Sequence, residues 1–310
     1  MCSETIPWPY RPAPAAAVGH PQEPGEPAGD GQAGARPYAP APEPLPVAVY
    51  DNHTHLDMRL DGTPVGIGAA LDAAEAVGVK GAVQVGCDLA SSRFTVAALE
   101  ADARLLGAVA LHPNEAPELG AQGRLDEALA EIESLAAHPR VRAIGESGLD
   151  YFRTSGPGLA DQQYSFRRHI DMAKRLGLAL QIHDRDAHED VVAMLAAEGA
   201  PATVVLHCFS GDGALARICN DNGWYMSFSG TLTFKNAANL REALAVADPA
   251  LLMVETDSPF LTPHPHRGRQ NASYMVPYTV RAMAALLGRD LGGLGHQLAA
   301  NTEAVYGSWA

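Results

Sequence analysis

A length of 310 residues allows one large domain or two small ones, and 47% hydrophobic with 19% charged residues is typical of a soluble globular enzyme. The net charge of −14 argues against a broad basic surface for gripping nucleic acid, although it does not exclude an enzyme that meets phosphate through bound metal ions. No apolar run is long enough to span a bilayer, so we expect no association with a membrane.

The first residues and the cysteines bear on the location of the protein. The chain begins MCSETIP, without the basic segment and the apolar run of a secretory signal. Its four cysteines, Cys2, Cys87, Cys208 and Cys219, show no paired spacing and no Cys-x-x-Cys motif. We therefore predict free thiols in a reducing cytoplasm. Separately, we infer no obligate protein partner from the sequence.

Residues 1–46 are dominated by proline, alanine and glycine, with scattered charges and few large apolar side chains. Such a stretch buries too little apolar surface to offset the entropy that ordering costs. We predict a disordered or loosely docked N-terminal tail that carries no chemistry, followed by a single catalytic domain over residues 47–310.

Alternating strand and helix patterns begin at Val47 and repeat eight times. The predicted strands are short, apolar and rich in valine, leucine and alanine, as parallel strands covered on both faces are. They occupy residues 47–52, 81–86, 106–111, 141–145, 178–182, 203–206, 224–228 and 251–255. Helical periodicity over residues 125–137 and 161–176 lies between them, and glycines such as Gly177 and Gly223 mark helix ends.

Eight β/α units within about 260 residues predict an α/β fold of the (β/α)₈ TIM-barrel type. The competing architecture is a doubly wound open sheet, but its Gly-x-Gly-x-x-Gly fingerprint is absent after the first strand. An additional C-terminal helix at residues 294–306 is expected to pack outside the barrel as a closing element. We predict no second domain.

The carboxyl ends of the predicted strands carry the chemistry, because barrels of this type build their active sites there. His53 and His55 share one side of the first strand if extended backbone continues past Tyr50. The ends of the other strands supply His112, Glu146, His183, His207 and Asp257. A lone His-x-His is equally consistent with two solvated histidines, but six or seven donors at one rim are hard to attribute to chance.

The predicted metal ligands are four imidazoles and two carboxylates: His53, His55, Glu146, His183, His207 and Asp257. Six donors exceed the need of one tetrahedral ion, which favours two divalent ions with Glu146 as the bridge. Mixed nitrogen and oxygen ligation suits Mg²⁺, Mn²⁺, Zn²⁺ or Co²⁺. Paired ions suit hydrolysis, because one activates water and both hold the oxygens of a displaced phosphoryl group.

Five motifs follow this pattern along the chain: NHTHLD at residues 52–57, GESGLDYFR at 145–153, QIHDR at 181–185, LHCFSG at 206–211 and ETDSPFLTP at 255–263. Together they resemble the motifs of the TatD-related metal-dependent DNases, a branch of the amidohydrolase superfamily. The resemblance extends from about residue 47 to residue 306, with the motifs in order and at the right spacing. It implies a TIM-barrel hydrolase with two divalent ions that acts on DNA from an end, in the manner of a 3′–5′ exonuclease.

The same likeness implies two ligand groups that share Glu146, with His53, His55 and Asp257 at one ion and His183 and His207 at the other. Asp257 would also take a proton from the attacking water, which is the usual role of an aspartate at the eighth strand in this superfamily. Many members of the superfamily bridge their ions with a carboxylated lysine on strand four. Glu146 occupies that place here, which favours the TatD branch.

One loop departs from the family pattern. TatD-like proteins usually follow an Arg-Gly-(Lys/Arg) turn with Asn-Glu-Pro, whereas residues 267–273 of this chain read RGRQNAS. Asn271 is kept, but the glutamate and the proline are absent. The departure concerns the shape of the substrate rim rather than the metal centre, and the long N-terminal tail also falls outside the family pattern.

Basic residues after three of the strands are candidates for holding phosphate oxygens: Arg153, Arg185 and Lys235. The alternative is that they pair with neighbouring acids, namely Asp150, Asp184 or Asp186. His112, in a Leu-His-Pro sequence, is either a substrate-binding or supporting group or an ordinary loop histidine.

We therefore expect a metal-dependent hydrolase whose substrate is DNA or another phosphodiester. The first alternative is a hydrolase of small esters or amides, since the same two-ion centre serves both chemistries. The second is a binding protein in which metal is merely structural, and the excess of donors over four argues against it.

Overall fold

The computed structural model describes residues 11–12, 37–60 and 66–309. Eight parallel strands among them form one sheet, in which the strands follow one another in chain order. We number them β1 (Val49–Thr54), β2 (Val79–Val85), β3 (Leu105–Val109), β4 (Val141–Asp150), β5 (Ala179–Arg185), β6 (Val204–Leu206), β7 (Tyr225–Phe228) and β8 (Leu252–Val254). Two further segments, Arg11–Pro12 and Met58–Arg59, pair in parallel as a small sheet of their own.

At least one α-helix follows each strand of the large sheet. The helices are α1 (Ile67–Glu75), α2 (Leu89–Ala101), α3 (Ala116–Ala121), α4 (Leu125–Ala136), α5 (Gly158–Leu176), α6 (His188–Glu198), α7 (Gly213–Asn222), α8 (Ala238–Val246), α9 (Val276–Leu287) and α10 (Leu291–Tyr306). Short 3₁₀ segments occupy Gly230–Thr233, Pro249–Leu251 and Ser273–Met275. Gly177 and Gly223 end α5 and α7 in the left-handed conformation, as predicted.

Hydrogen bonds between the end of the first strand and the residues that follow the last strand close the barrel. The amide of Asp257 donates to the carbonyl oxygen of His53 at 2.9 Å, and the amide of His55 donates to that of Ser258 at 2.9 Å. Thr54 and Ser258 form a parallel bridge at the same place. An eight-stranded parallel barrel with alternating helices confirms the predicted (β/α)₈ TIM barrel.

An apolar layer fills the barrel interior and includes a residue of the C-terminal helix. The layer is formed by Val83, Val85, Leu106, Ala108, Ala143, Ala179, Val205, Met253 and Tyr306. The Tyr306 hydroxyl accepts a hydrogen bond from Gln181 Nε2 of β5 at 2.5 Å. The expectation that this helix packs wholly outside the barrel is therefore wrong at its last turn, because the Tyr306 ring packs among side chains that the strands turn inward.

The end of the predicted tail contacts the outside of the domain. Tyr274 donates a hydrogen bond to the carbonyl oxygen of Ala39 at 2.5 Å, and Arg281 donates to that of Glu43 at 2.7 Å. The Leu45 side chain is buried. Residues 37–46 are therefore packed against the barrel, while residues 1–10 and 13–36 of the predicted tail lie outside the described residues.

β4 and β5 extend further than the apolar pattern predicts. Their parallel pairing continues past residues 145 and 182, through Gly148 with His183 to Asp150 with Arg185. The apolar pattern stops earlier because the side chains become polar, while the backbone hydrogen bonds continue. Glu146 and His183 consequently lie within strands rather than after them, which limits the freedom of both side chains.

Two other predictions touch on the described residues. Cys87, Cys208 and Cys219 each carry an unpaired thiol, and Cys2 lies outside the described residues. Across the described ranges, none of the helices combines the length and the apolar character that crossing a bilayer requires. The cytoplasmic location stays a prediction.

Candidate metal centre

His53 and His55 stand at the carboxyl end of β1 with their rings on one side of the strand. Their Nε2 atoms are 3.2 Å apart, and both residues are buried. Thr54, between them, instead contacts the Ser258 hydroxyl at 2.6 Å. The alternation of side chains along β1 therefore brings two imidazoles to one point, as the His-x-His spacing predicts.

A backbone carbonyl sets the tautomer of His55. The Nδ1 atom of this ring lies 3.0 Å from the carbonyl oxygen of Val85. Because a carbonyl oxygen only accepts, Nδ1 carries the proton. Nε2 is then the ring nitrogen that faces the cluster, which is how a metal-binding histidine is held in place.

Glu146 lies in the middle of the cluster, and its two carboxylate oxygens face different histidines. Oε2 lies 3.5 Å from His53 Nε2 and 3.8 Å from His55 Nε2. Oε1 lies 2.8 Å from His183 Nδ1 and 2.9 Å from His207 Nε2. The two oxygens of one carboxylate thus contact different pairs of histidines.

Asp257 completes the donor group around the first two histidines. Its Oδ1 lies 3.4 Å from His55 Nε2 and 3.8 Å from His53 Nε2. The backbone at Asp257 has a positive φ of 55° shortly after β8. The hydrogen bond from its amide to the carbonyl oxygen of His53 joins this turn to β1. The side chain is 16% exposed, so that it borders both the cluster and the cavity.

Glu255 orients His207 from behind. Its Oε1 lies 3.3 Å from His207 Nδ1 and also accepts a hydrogen bond from the amide of Cys208 at 2.8 Å. Burial raises the pKa of Glu255 to about 7, although the nearby His207 opposes the shift. Glu255 therefore supports a histidine and leaves His207 Nε2 directed at Glu146.

The donor set fits a divalent cation. Asp257 Oδ1 and Glu146 Oε2 each lie within 3.8 Å of both His53 Nε2 and His55 Nε2. Four acceptor atoms this close repel one another unless a positive charge lies among them. Burial and the charge of His207 lower the pKa of His53 to about 4, which keeps this ring neutral.

The pKa of His55 reports the negative charge of the pocket. Burial alone lowers this pKa, but the hydrogen bond and the charge of Asp257, together with Glu146, outweigh burial and raise it to about 9. A metal cation at this point would neutralise the same carboxylate charge that a proton on His55 neutralises. Nitrogen and carboxylate donors suit Zn²⁺, Mn²⁺, Co²⁺ or Mg²⁺.

His112 approaches Glu146 in the tautomer opposite to that of His55, with its proton on Nε2 instead of Nδ1. Its Nδ1 accepts a hydrogen bond from the amide of Asn114 at 3.1 Å, which leaves the proton on Nε2. That Nε2 lies 3.4 Å from Glu146 Oε1. A protonated ring nitrogen donates a hydrogen bond and does not ligate a metal, so this geometry favours a donor to a carboxylate or to substrate.

Asp150 belongs to the site although no motif argument singled it out for that role. It is buried, its Oδ2 lies 3.4 Å from His183 Nε2, and it accepts a hydrogen bond from Asn114 Nδ2 at 2.9 Å. Burial raises the pKa of Asp150, but His183 and Asn114 outweigh it and hold that pKa well below its usual range. The available signal was the period of two along a strand, which places Asp150 on the same face of β4 as Glu146.

A cavity of about 1130 Å³ opens onto the cluster. Arg153 and Arg185 line it, and neither guanidinium forms an ion pair with a carboxylate anywhere in residues 37–60 and 66–309. Two of the acids that were their alternative partners are engaged elsewhere, because Asp150 contacts His183 and Asp184 lies 2.7 Å from His188 Nδ1. Both arginines are therefore available to a ligand.

The sequence profile of the TatD-related DNases matches residues 50–307 of this chain. The chain belongs to this family. It is 46% identical over 266 residues to the uncharacterized metal-dependent hydrolase TatD of Mycobacterium tuberculosis, an alignment that covers 84% of this chain and 98% of the relative. The uncharacterized metal-dependent hydrolase YabD of Bacillus subtilis is 37% identical over 239 residues, which is 77% of this chain and 91% of that protein.

A solved structure agrees with this membership. The crystal structure of YJJV, a TatD homolog from Escherichia coli K12, superposes with a TM-score of 0.76 at 25% identity and covers 84% of this chain and 98% of that one. The family, the relatives and the donor cluster together make this TatD-family chain a metal-dependent hydrolase.

Lys235 is the predicted substrate residue that the TatD-family barrel does not bring to the site. Its side chain is exposed, and it does not line the cavity, whereas its neighbours Phe234 and Asn236 do. Its carbonyl oxygen instead accepts a hydrogen bond from Arg241 at 3.1 Å. The strand order placed Lys235 after β7, but the turn that follows the 3₁₀ segment Gly230–Thr233 directs its side chain into solvent.

Proposed function

We propose that this chain is a divalent-metal-dependent phosphodiesterase that removes nucleotides from the 3′ end of DNA. The observation that carries the proposal is the position of Glu146, whose two oxygens contact different histidine nitrogens and could bridge two ions. The ligands would be His53, His55 and Asp257 on one side and His183 and His207 on the other. The family description, TatD-related DNase, supports DNA as the substrate.

The protein groups have distinct tasks in this reaction. Ions bound at the cluster would supply an activated water and neutralise the charge that develops on the phosphoryl oxygens. Asp257 accepts the proton of the attacking water from its position between the histidines and the cavity. Burial raises the pKa of Asp257, but the hydrogen bond to His55 and the positive charge of His207 outweigh burial and lower this pKa, so the carboxylate is ionised and can accept a proton.

Arg153 and Arg185 support a phosphate group as the feature that is recognised. A guanidinium offers a fork of donors that matches two phosphate oxygens. Burial and the positive charge of Arg185 lower the pKa of Arg153, so the two cations interact unfavourably when no anion is bound. An anionic diester between them relieves this repulsion, whereas a neutral ester or amide does not.

Metal add-back tests the proposal. Metal-stripped protein should release no acid-soluble nucleotides from a single-stranded oligonucleotide, and Mg²⁺, Mn²⁺, Zn²⁺ or Co²⁺ added in turn should restore release. A label at the 3′ end should be lost before a label at the 5′ end, and inorganic phosphate should compete with the substrate. Titration of the stripped protein should reach two equivalents of metal.

Two outcomes would contradict parts of this proposal. Saturation at one equivalent of metal would rule out Glu146 as a bridge between two ions. No cleavage with any of the four ions, in protein that binds two equivalents, would exclude DNA as the substrate and make small esters and amides the class to test.

Substitution of His112 distinguishes a hydrogen-bond donor from a metal ligand. His112→Ala should lower kcat about tenfold to a hundredfold, since a charge-assisted hydrogen bond at the reacting groups is lost. The variant should retain both metal equivalents after dialysis, because His112 Nε2 carries a proton. His112→Gln keeps a donor and should recover part of the rate. Loss of a metal equivalent in either variant would instead identify His112 as a ligand.

A further inference from the structure

Two phenylalanines near the cavity each carry an arginine stacked against the ring. The Arg185 guanidinium lies 3.8 Å from the centroid of the Phe152 ring, and the Arg267 guanidinium lies 3.7 Å from that of Phe234. Both distances are those of close cation–π contacts. Each stack joins two neighbouring loops, because Phe152 follows β4 and Arg185 ends β5, while Phe234 follows β7 and Arg267 follows β8.

Packing within the domain does not explain the position of Phe152. The ring is 52% exposed, which is the highest exposure of any large hydrophobic side chain in the described part of the chain. The next residues, Arg153 and Thr154, line the cavity. An exposed aromatic ring at the edge of a cavity, rimmed by cationic groups, has the character of a ligand contact.

Phe234 is held more firmly than Phe152. It is half-buried and lines the cavity, and its carbonyl oxygen accepts a hydrogen bond from Arg241 Nη1 at 2.8 Å. Arg241 also donates to the carbonyl of Lys235, so that one side chain fixes the backbone on this side of the cavity. Arg267, stacked on the ring, is exposed.

The two stacks lie on different sides of the barrel. In the strand order, β6 separates the pair β4 and β5 from the pair β7 and β8 on one side, and β1 to β3 separate them on the other. The donor cluster draws its residues from the strands between and beside them. A chain that crosses the cavity from one stack to the other would therefore pass over the cluster.

We propose that the Phe152–Arg185 and Phe234–Arg267 stacks are two base platforms that hold an unpaired nucleic-acid strand across the metal centre. This inference rests on the proposed function and names the contacts that would select nucleic acid over smaller diesters. The exposed Phe152 ring offers an aromatic face to one base, the Phe234 ring borders the cavity where a second base would lie, and each guanidinium adds a positive charge for the adjoining phosphate. Bases in a duplex are already paired and stacked, so only an unpaired strand can use both platforms.

The size of the cavity agrees with an extended ligand. Pockets for drug-sized molecules enclose roughly 300–1,000 Å³, and this cavity encloses about 1130 Å³. A single small ester would leave much of it filled with water. A nucleotide with its neighbours would occupy more of the space and reach the rings at its edge.

The test compares two substrates in the metal-loaded full-length protein. One is a single-stranded oligonucleotide, and the other is methyl p-nitrophenyl phosphate, which offers a diester without a nucleobase. Phe152→Ala should lower the ratio of kcat/KM for the oligonucleotide to kcat/KM for the small diester about tenfold, mainly through KM. Phe152→Trp should restore the ratio. Leu286→Ala truncates a different exposed apolar side chain, on α9, and should leave the ratio at its wild-type value.

Abasic positions in the oligonucleotide give a matched test from the substrate side. A missing base at the position that stacks on Phe152 should lower the wild-type kcat/KM for the oligonucleotide about as much as Phe152→Ala does. The effects of the two changes should not add. Phe234→Leu, which keeps apolar bulk but removes the aromatic face, should respond to an abasic position elsewhere in the strand.

The outcomes separate this inference from the proposed function. If the wild type hydrolyses both substrates and neither Phe152→Ala nor Phe234→Leu changes the ratio, the stacks only brace the loops and the platforms are refuted. If the wild type hydrolyses neither substrate with any divalent ion, the proposed function fails, and the platforms fail with it.

Discussion

Glu146→Gln is expected to abolish hydrolysis, with a loss of about a thousandfold or more in kcat/KM. The substitution keeps the size of the side chain but replaces a charged oxygen with an amide that cannot bridge two cations. The carboxylate now contacts His53 and His55 through Oε2 and His183 and His207 through Oε1, so one change affects both donor groups. Steady-state rates and the metal content after dialysis measure the effect, and the glutamine variant should bind fewer than two equivalents.

Glu189→Gln is the matched control, because Glu189 is an exposed glutamate of α6 and contacts none of the donor residues. It should show wild-type activity and metal content. The far-UV circular dichroism of both variants should equal that of the wild type, since the strands around residue 146 are held by backbone pairing. Full activity in Glu146→Gln would overturn the role of this carboxylate.

Gly148→Ala is expected to destabilise the protein by about 3 kcal/mol or more, and to lower the melting temperature by about 10 °C. Gly148 has a φ of +149°, and a Cβ atom there would lie 2.0 Å from the carbonyl oxygen of His183. The clash is between the new Cβ atom and a backbone oxygen, so no side-chain rotation relieves it. Separation of β4 from β5 would also move His183 away from Glu146 and weaken metal binding.

Gly123→Ala separates the clash from the cost of a positive φ. Gly123 has a φ of +67°, and a Cβ atom there would meet nothing within 4 Å. This variant should lose only about 1 kcal/mol, the ordinary cost of a non-glycine residue in that conformation. Thermal unfolding of both variants checks the difference, and equal melting temperatures would show that the contact with His183 is relieved at little cost.

Much of the donor set could be predicted without a structure. Side chains alternate along a strand, so the spacing of His53 and His55 places both rings on one side. Parallel strands of a barrel end at one face, which brings Glu146, His183 and Asp257 to the same rim. The barrel itself was predictable from eight repeats of one local pattern, because each strand and each helix leaves its own periodicity in the chain.

The extent of the strands was harder to predict, because the prediction relied on the same local apolar pattern. Glu146 and His183 interrupt the apolar pattern, although the pairing of β4 with β5 continues to Asp150 and Arg185. Polar side chains inside a strand occur where the strand serves a site, and local hydrophobicity then ends before the backbone pairing does. Asp150, which shares the face of Glu146, was overlooked as a site residue for this reason.

Taken alone, the sequence determined the barrel, the rim and the types of donor atom, because these follow from short-range periodicity and strand direction. Only the tertiary structure decided how the atoms are aimed. The tautomer of His55 depends on the carbonyl of Val85, the role of His112 on the amide of Asn114, and the solvent exposure of Lys235 on one turn. The stacking of Arg185 on Phe152 and the entry of Tyr306 into the barrel likewise require residues from separate elements to meet. Such contacts depend on strand register and on closure of the sheet, which the local pattern of residues does not record.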